Sequence, residues 1–154
     1  MLNGFFTEAV SVIESHDGIV NKFLGDGLMA IFGAAQPQPD HASHAVSAGR
    51  ALIQRVRLLN ETPGTPALEI GVGIHTGVAV IGSIGAPQRL EYTAIGDTVN
   101  LASRVESLTK ETKHPLLFTA ATYAALAEPP DAQKLAPLHV KGKAEPITVY
   151  AASV

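Results

Sequence analysis

The sequence has no cysteine. That removes disulfides, thiolate zinc sites and cysteine nucleophiles from consideration. Charge is also scarce: charged residues make up 16%, with 11 Lys+Arg against 14 Asp+Glu. The formal net charge of -3 sets up no field that would gather nucleic acid. No apolar run approaches the ~18 residues of a spanning helix, so no membrane span is expected. Met1-Leu2-Asn3-Gly4 shows no signal-peptide pattern, and a soluble cytoplasmic domain is the expectation. What the chain does have is apolar character. Hydrophobic residues reach 46%, too many for a disordered segment. A length of 154 residues fits one domain with a core of its own.

Leu2, Phe5, Phe6, Ala9, Val10 and Ile13 form an amphipathic helix stripe that His16-Asp17-Gly18 ends. Ile19 to Leu24 and Leu28 to Phe32 flank Gly25-Asp26-Gly27 and read as a β-hairpin. A second helix runs from Ala45 to Leu59 and closes at Pro63-Gly64. Leu68 to Thr76 and Val78 to Ile84 read as a second hairpin joined near Gly77, with a further strand over Leu90 to Ile95. Asp97 or Thr98 caps a third helix carrying Val99, Ala102, Val105 and Leu108. A short strand at 115–118, a short helix at 119–126, and strands at 135–140 and 147–151 complete the chain. The class is α+β. The order matches a ferredoxin-like βαββαβ core whose first strand is absent from the chain, with a C-terminal αβ extension. The first helix is already under way at residue 2.

Three places carry candidate chemistry. Asp26, between two glycines at a hairpin tip, is either a Mg²⁺ ligand or the ordinary aspartate of a tight turn. Asn100 and Arg104 stand four apart on one helix face. An amide and a guanidinium there suit a sugar oxygen and a phosphoryl group, or else form a solvated face with Arg104 paired to an acid. Lys141-Gly142-Lys143 either holds a polyphosphate or is a solubilising turn. Among the histidines, His41 and His44 read as surface residues, His75 and His139 as core residues with their hydrogen bonds satisfied.

Five blocks together resemble one family. They are Leu2-Asn-Gly-Phe-Phe6, Asn21-Lys-Phe-Leu-Gly-Asp-Gly-Leu-Met-Ala-Ile-Phe-Gly33, Gly73-Ile-His-Thr-Gly77, Gly96-Asp-Thr-Val-Asn-Leu-Ala-Ser-Arg104 and Val140-Lys-Gly-Lys143. In order and spacing they resemble the class III nucleotidyl cyclase catalytic domains. The resemblance implies a homodimer with sites at the interface. It makes Asp26 a ligand of Mg²⁺ or Mn²⁺, Asn100 the ribose-orienting residue and Arg104 the stabiliser of charge on the transferring phosphate. Lys141 becomes a triphosphate contact, and Lys22 and Thr93 the base readers. In the family Asp26 acts from one subunit and the other residues from its partner. Cyclisation is attack of the ribose 3′ hydroxyl on the α-phosphate, so no nucleophilic side chain is needed.

A Lys ammonium donates to adenine N1 and a Thr hydroxyl accepts from N6, whereas guanine favours Glu at position 22. ATP is therefore the expected substrate. The Lys–Thr pair resembles a bacterial subgroup that often answers to bicarbonate. The family's first strand, with a second metal aspartate, has no match here. Two-metal chemistry short of one carboxylate is expected to lose roughly 10³-fold or more in the chain alone. A fused or upstream sensor domain fits the family. The alternatives are a catalytically silent nucleotide-binding and dimerisation module, or a guanylate cyclase. A palm-type polymerase or diguanylate cyclase lacks support, since no Gly-Gly-Asp-Glu-Phe-like hairpin is present.

Overall fold

Two apolar helix faces and an alternating strand pair explain most of the packing. The computed structural model describes residues 2–34 and 36–154, apart from the side chains of Leu2, Glu91 and Tyr92. The Leu2 position of the first apolar stripe thus lies outside the described side chains. Helix α1 (Leu2–Ser15) buries Ala9 and Ile13. It ends at Asp17, which takes φ 60, a conformation Asp tolerates better than most residues. Strands β1 (Gly18–Leu24) and β2 (Gly27–Phe32) form the expected hairpin, with a register shift between Val20 and Lys22. Gly25 at φ 64 makes its tip. Phe6 of α1 meets Phe23 of β1 edge-on at 5.0 Å.

Helix α2 (His41–Asn60) follows a Pro-rich loop, and a two-pronged Arg55–Glu8 ion pair at 2.8 and 2.9 Å ties it to α1. Strand β3 (Val72–Ile74) does not enter the predicted second hairpin. It pairs in parallel with β6 (Leu116–Thr119), and the hairpin is built instead by β4 (Val80–Ala86) and β5 (Arg89–Ile95). A Cβ at Gly73 would stand 2.1 Å from the Glu106 backbone nitrogen, so β3 lies directly against α3 (Asp97–Thr112).

Strand β8 (Val149–Ala152) lies between β6 and β7 (Ala132–Lys134), giving the order β3-β6-β8-β7. Helix α4 (Ala120–Ala125) starts at Thr119, whose side chain accepts from the Thr122 backbone N–H as expected of a cap. The strand predicted over 135–140 is displaced. Over that stretch Leu138 forms an isolated bridge with Ile147, and the Leu135 N–H donates to the Val149 carbonyl at 3.0 Å.

The core follows the period of two along β6 and β8. Leu117, Val149 and Ala151 pack on Leu101, Val105 and Leu108 of α3. Leu116, Phe118 and Ala152 face the other way, onto Val46 and Ile53 of α2. Helix α3 therefore buries Leu101 where Ala102 was expected. Truncating a fully buried leucine such as Leu117 to alanine costs about 2–5 kcal/mol in sites of this kind. The β1–β2 hairpin, the four-stranded sheet and the β4–β5 hairpin share no ladder among the described residues. This mixed α+β arrangement is consistent with the ferredoxin-like core read from the sequence. Among the described residues no helix is long and apolar enough to cross a membrane.

Candidate active site

Helix α3 carries the centre of the site. Gly96, at φ 129, precedes its first residue and makes no side-chain cap. The expected capping by Asp97 or Thr98 is therefore corrected. Asp97 is already helical, and the Thr98 hydroxyl instead donates to the Val78 carbonyl at 2.6 Å. Asp97, Asn100 and Arg104 fall on one stripe of α3, alongside the buried stripe of Leu101, Val105 and Leu108.

That stripe lies beside the turn at 141–143. Gly142 takes φ 84, and a Cβ there would stand 2.8 Å from Arg104 Nη1 and 3.0 Å from Nη2. The guanidinium thus rests against the backbone of the turn. Among the described residues Arg104 forms no ion pair, though its charge acts on the nearby Asp97 carboxylate.

The two lysines of the turn differ. Lys143 pairs with the Asp97 carboxylate. Lys141 is exposed and forms no ion pair among the described residues. Residue type alone does not separate the two lysines, the resemblance selects Lys141, and neither pointed to Asp97 as the partner of Lys143. The hydrogen bond from Lys143 holds the Asp97 carboxyl below the usual carboxylate range, with Arg104 and His75 adding to the effect.

His75, read as a core histidine, is half-buried, and its Nδ1 meets Thr119 Oγ1 at 2.8 Å. Burial pushes its imidazole below the usual range, against an upward pull from Asp97. His139 is exposed, contrary to the expectation, because the strand that was to bury it is only a single bridge. His44 sits between Asp40, at 2.9 Å, and Asp17, at 3.6 Å.

Thr93 on β5 is 7% exposed, and its hydroxyl donates to Asn21 Oδ1 at 3.2 Å. Lys22, the next residue on β1, is half-buried and forms no ion pair among the described residues. The two expected base readers thus stand on adjoining strands, linked through Asn21. Asp26 is exposed at the tip of the β1–β2 hairpin. No hydrogen bond or ion pair among the described residues joins it to Asn100, Arg104 or Lys141.

Asp26 suits a hard divalent cation. Its oxygens are charged and accessible, and the glycine on each side leaves room for ligand oxygens to approach. Among the described residues no three His, Asp or Glu side chains gather to hold a metal by themselves. An ion on Asp26 must complete its shell from other oxygens. Mg²⁺ commonly does so with substrate phosphates and water.

A helix stripe bearing an amide and a guanidinium, a lysine turn beside it and a carboxylate at a glycine-flanked tip are groups of the kind that bind sugar and phosphate oxygens. The comparisons with known proteins name the class. The family model for the adenylate and guanylate cyclase catalytic domain matches residues 1–153. The chain belongs to that family, the class III nucleotidyl cyclases.

Adenylate cyclase 1 of Rhizobium meliloti is 35% identical over 153 residues, covering 97% of this chain and 23% of the relative. Among solved structures, the adenylyl cyclase CyaB from P. aeruginosa superposes with a TM-score of 0.91 at 31% identity, covering 99% of this chain and 80% of the other. The guanylyl cyclase Cya2 gives 0.83 at 32% identity, covering 97% and 76%. The chain spans about a quarter or less of the length of the first curated relatives it matches.

Proposed function

We propose that this chain is the catalytic domain of an adenylate cyclase. It converts ATP to 3′,5′-cyclic AMP and pyrophosphate in intracellular signalling, on the cytoplasmic side. The observation that carries the reading is Arg104. A half-buried guanidinium that forms no ion pair among the described residues, held against the turn that bears Lys141, is arranged to receive an anion.

Lys141 meets the triphosphate as a point charge. Arg104 stabilises the charge that gathers on the α-phosphoryl oxygens during transfer. Asn100, one turn before it, orients the ribose so that the 3′ oxygen lies in line with the α-phosphate. Lys22 donates to adenine N1 and Thr93 accepts from N6. Asp26 would hold Mg²⁺ or Mn²⁺, which supplies a lowered pKa of the 3′ hydroxyl and neutralisation of phosphate charge.

The site is completed by a second copy of the chain, whose Asp26 reaches the α3 stripe of its partner. Two features support a homodimer. Asp26 makes no described contact with the α3 stripe of its own chain. Apolar side chains are also exposed on the strands that frame the site, with Phe23 at 54%, Val80 at 66% and Leu90 at 60%.

The test is product formation from ATP and from GTP by the full-length protein with Mn²⁺ or Mg²⁺. Cyclic AMP is expected in excess over cyclic GMP. Asp26→Ala is expected to lower turnover roughly 10³-fold while the dimer persists in sedimentation. Undiminished turnover in Asp26→Ala refutes the metal assignment, and a preference for GTP makes the domain a guanylate cyclase.

A further inference from the structure

We propose that Asn21 is a positioning residue for base selection, holding the Thr93 hydroxyl as a hydrogen-bond acceptor toward the nucleobase. The proposal rests on the assignment of Thr93 as a base reader and adds what makes it selective. A threonine hydroxyl is ambivalent, with one proton and two lone pairs. Left to rotate, it accepts from the adenine amino group or donates to the guanine carbonyl with equal ease. Discrimination therefore needs the proton to be committed elsewhere.

The geometry commits it. Thr93 Oγ1 donates to Asn21 Oδ1 at 3.2 Å, and the longer alternative, the Ala94 carbonyl at 3.4 Å, is also an acceptor. At 3.4 Å the Ala94 carbonyl is the weaker acceptor, so it is Asn21 that holds the proton and leaves the hydroxyl its lone pairs to offer. At 7% exposure Thr93 has little water to compete for that proton. Its cross-strand neighbour on β4 is Gly82, and nothing lies within 4 Å of where a Cβ would stand there. Gly82 therefore places no side chain of its own opposite Thr93. Asn21 also precedes Lys22 on β1, so one short segment sets both groups that face the base.

The experiment compares kcat/KM for ATP and GTP in the full-length protein and in Asn21→Leu, Asn21→Asp and Thr93→Val. Asn21→Leu is of similar size and removes the acceptor. It is expected to reduce the ATP-over-GTP ratio about three- to tenfold, the span of one net hydrogen bond. Asn21→Asp keeps an acceptor and is expected to retain the ratio. In the Thr93→Val background, Asn21→Leu should change the ratio no further.

The inference is overturned if Asn21→Leu leaves the ratio unchanged, or if it lowers the ratio equally with Thr93→Val in place. The latter result would mark a purely structural effect. A parent protein with no ATP preference overturns the base-reading assignment along with this inference, and that is visible before any substitution is made.

Discussion

Gly142→Ala separates the structural from the chemical importance of the 141–143 turn. Two effects follow from one added methyl group. The first is conformational. Gly142 takes φ 84, where an L-residue with a Cβ is strained by about 1–2 kcal/mol. For a domain of this size that lowers the melting temperature by roughly 3–6 °C. The second effect is steric. The new Cβ would stand 2.8 Å from Arg104 Nη1, and ordinary contact begins at 3.4–4 Å, so the guanidinium is pushed by roughly 0.6–1.2 Å.

The far end of an arginine yields at little cost in stability, but a charge-stabilising group does not tolerate that displacement. A misplacement near 1 Å costs on the order of 10²-fold in rate. Gly64→Ala is the control. Gly64 has φ 80, and nothing lies within 4 Å of the Cβ position. It carries the same backbone strain without the arginine. Thermal unfolding should show both variants losing similar stability. Cyclic nucleotide formation at saturating ATP, well below either melting point, should fall roughly 10- to 100-fold in Gly142→Ala alone. Equal activity in the two variants would refute the placement of Arg104 at the reacting phosphate.

The base-reading pair makes a second prediction: Lys22→Glu with Thr93→Cys should move preference toward GTP, measured as the ratio of the two kcat/KM values, and an unchanged ATP preference counts against it. Protonation of His75 supplies a third. Burial depresses its folded pKa below the ordinary imidazole value near 6.5, so the unfolded chain binds the proton first as pH falls. This contribution is fully present above about pH 6.5, and is lost as pH drops from there toward the folded value. Denaturant unfolding from pH 8 to 5 should show stability rising with pH, and His75→Gln should flatten that slope. A slope that survives the substitution assigns it to another group.

The parts of the fold that were legible in the sequence are those set by neighbours in the chain. The Gly25-Asp26-Gly27 tip between two apolar runs specifies its hairpin locally, and the stripes of α1, α2 and α3 repeat at helical spacing. Strand β3 was misplaced because its partner is β6, some 44 residues later, and a parallel pairing leaves no turn signal between them. Gly71 and Gly73 did hold a clue. Two glycines alternating with apolar residues mark a strand that another element approaches closely, here α3.

The site shows the same limit more sharply. The candidate residues stand out in the sequence by type and by the family resemblance, but which partners they take depends on pairings across the fold. Lys141 and Lys143 are alike by residue type, and only the family resemblance selects Lys141. Asp97, 46 residues before Lys143, pairs with that lysine. An exposed ion pair of this kind adds little to stability. Its consequence is one of assignment, since among the described residues it leaves Lys141 and Arg104 beside the turn without an ion pair, as the proposed triphosphate contact requires. The Thr93 hydroxyl is sorted in the same way by Asn21, 72 residues away. In both cases a residue without a motif role decides what a motif residue can do, and only the folded chain brings the two together.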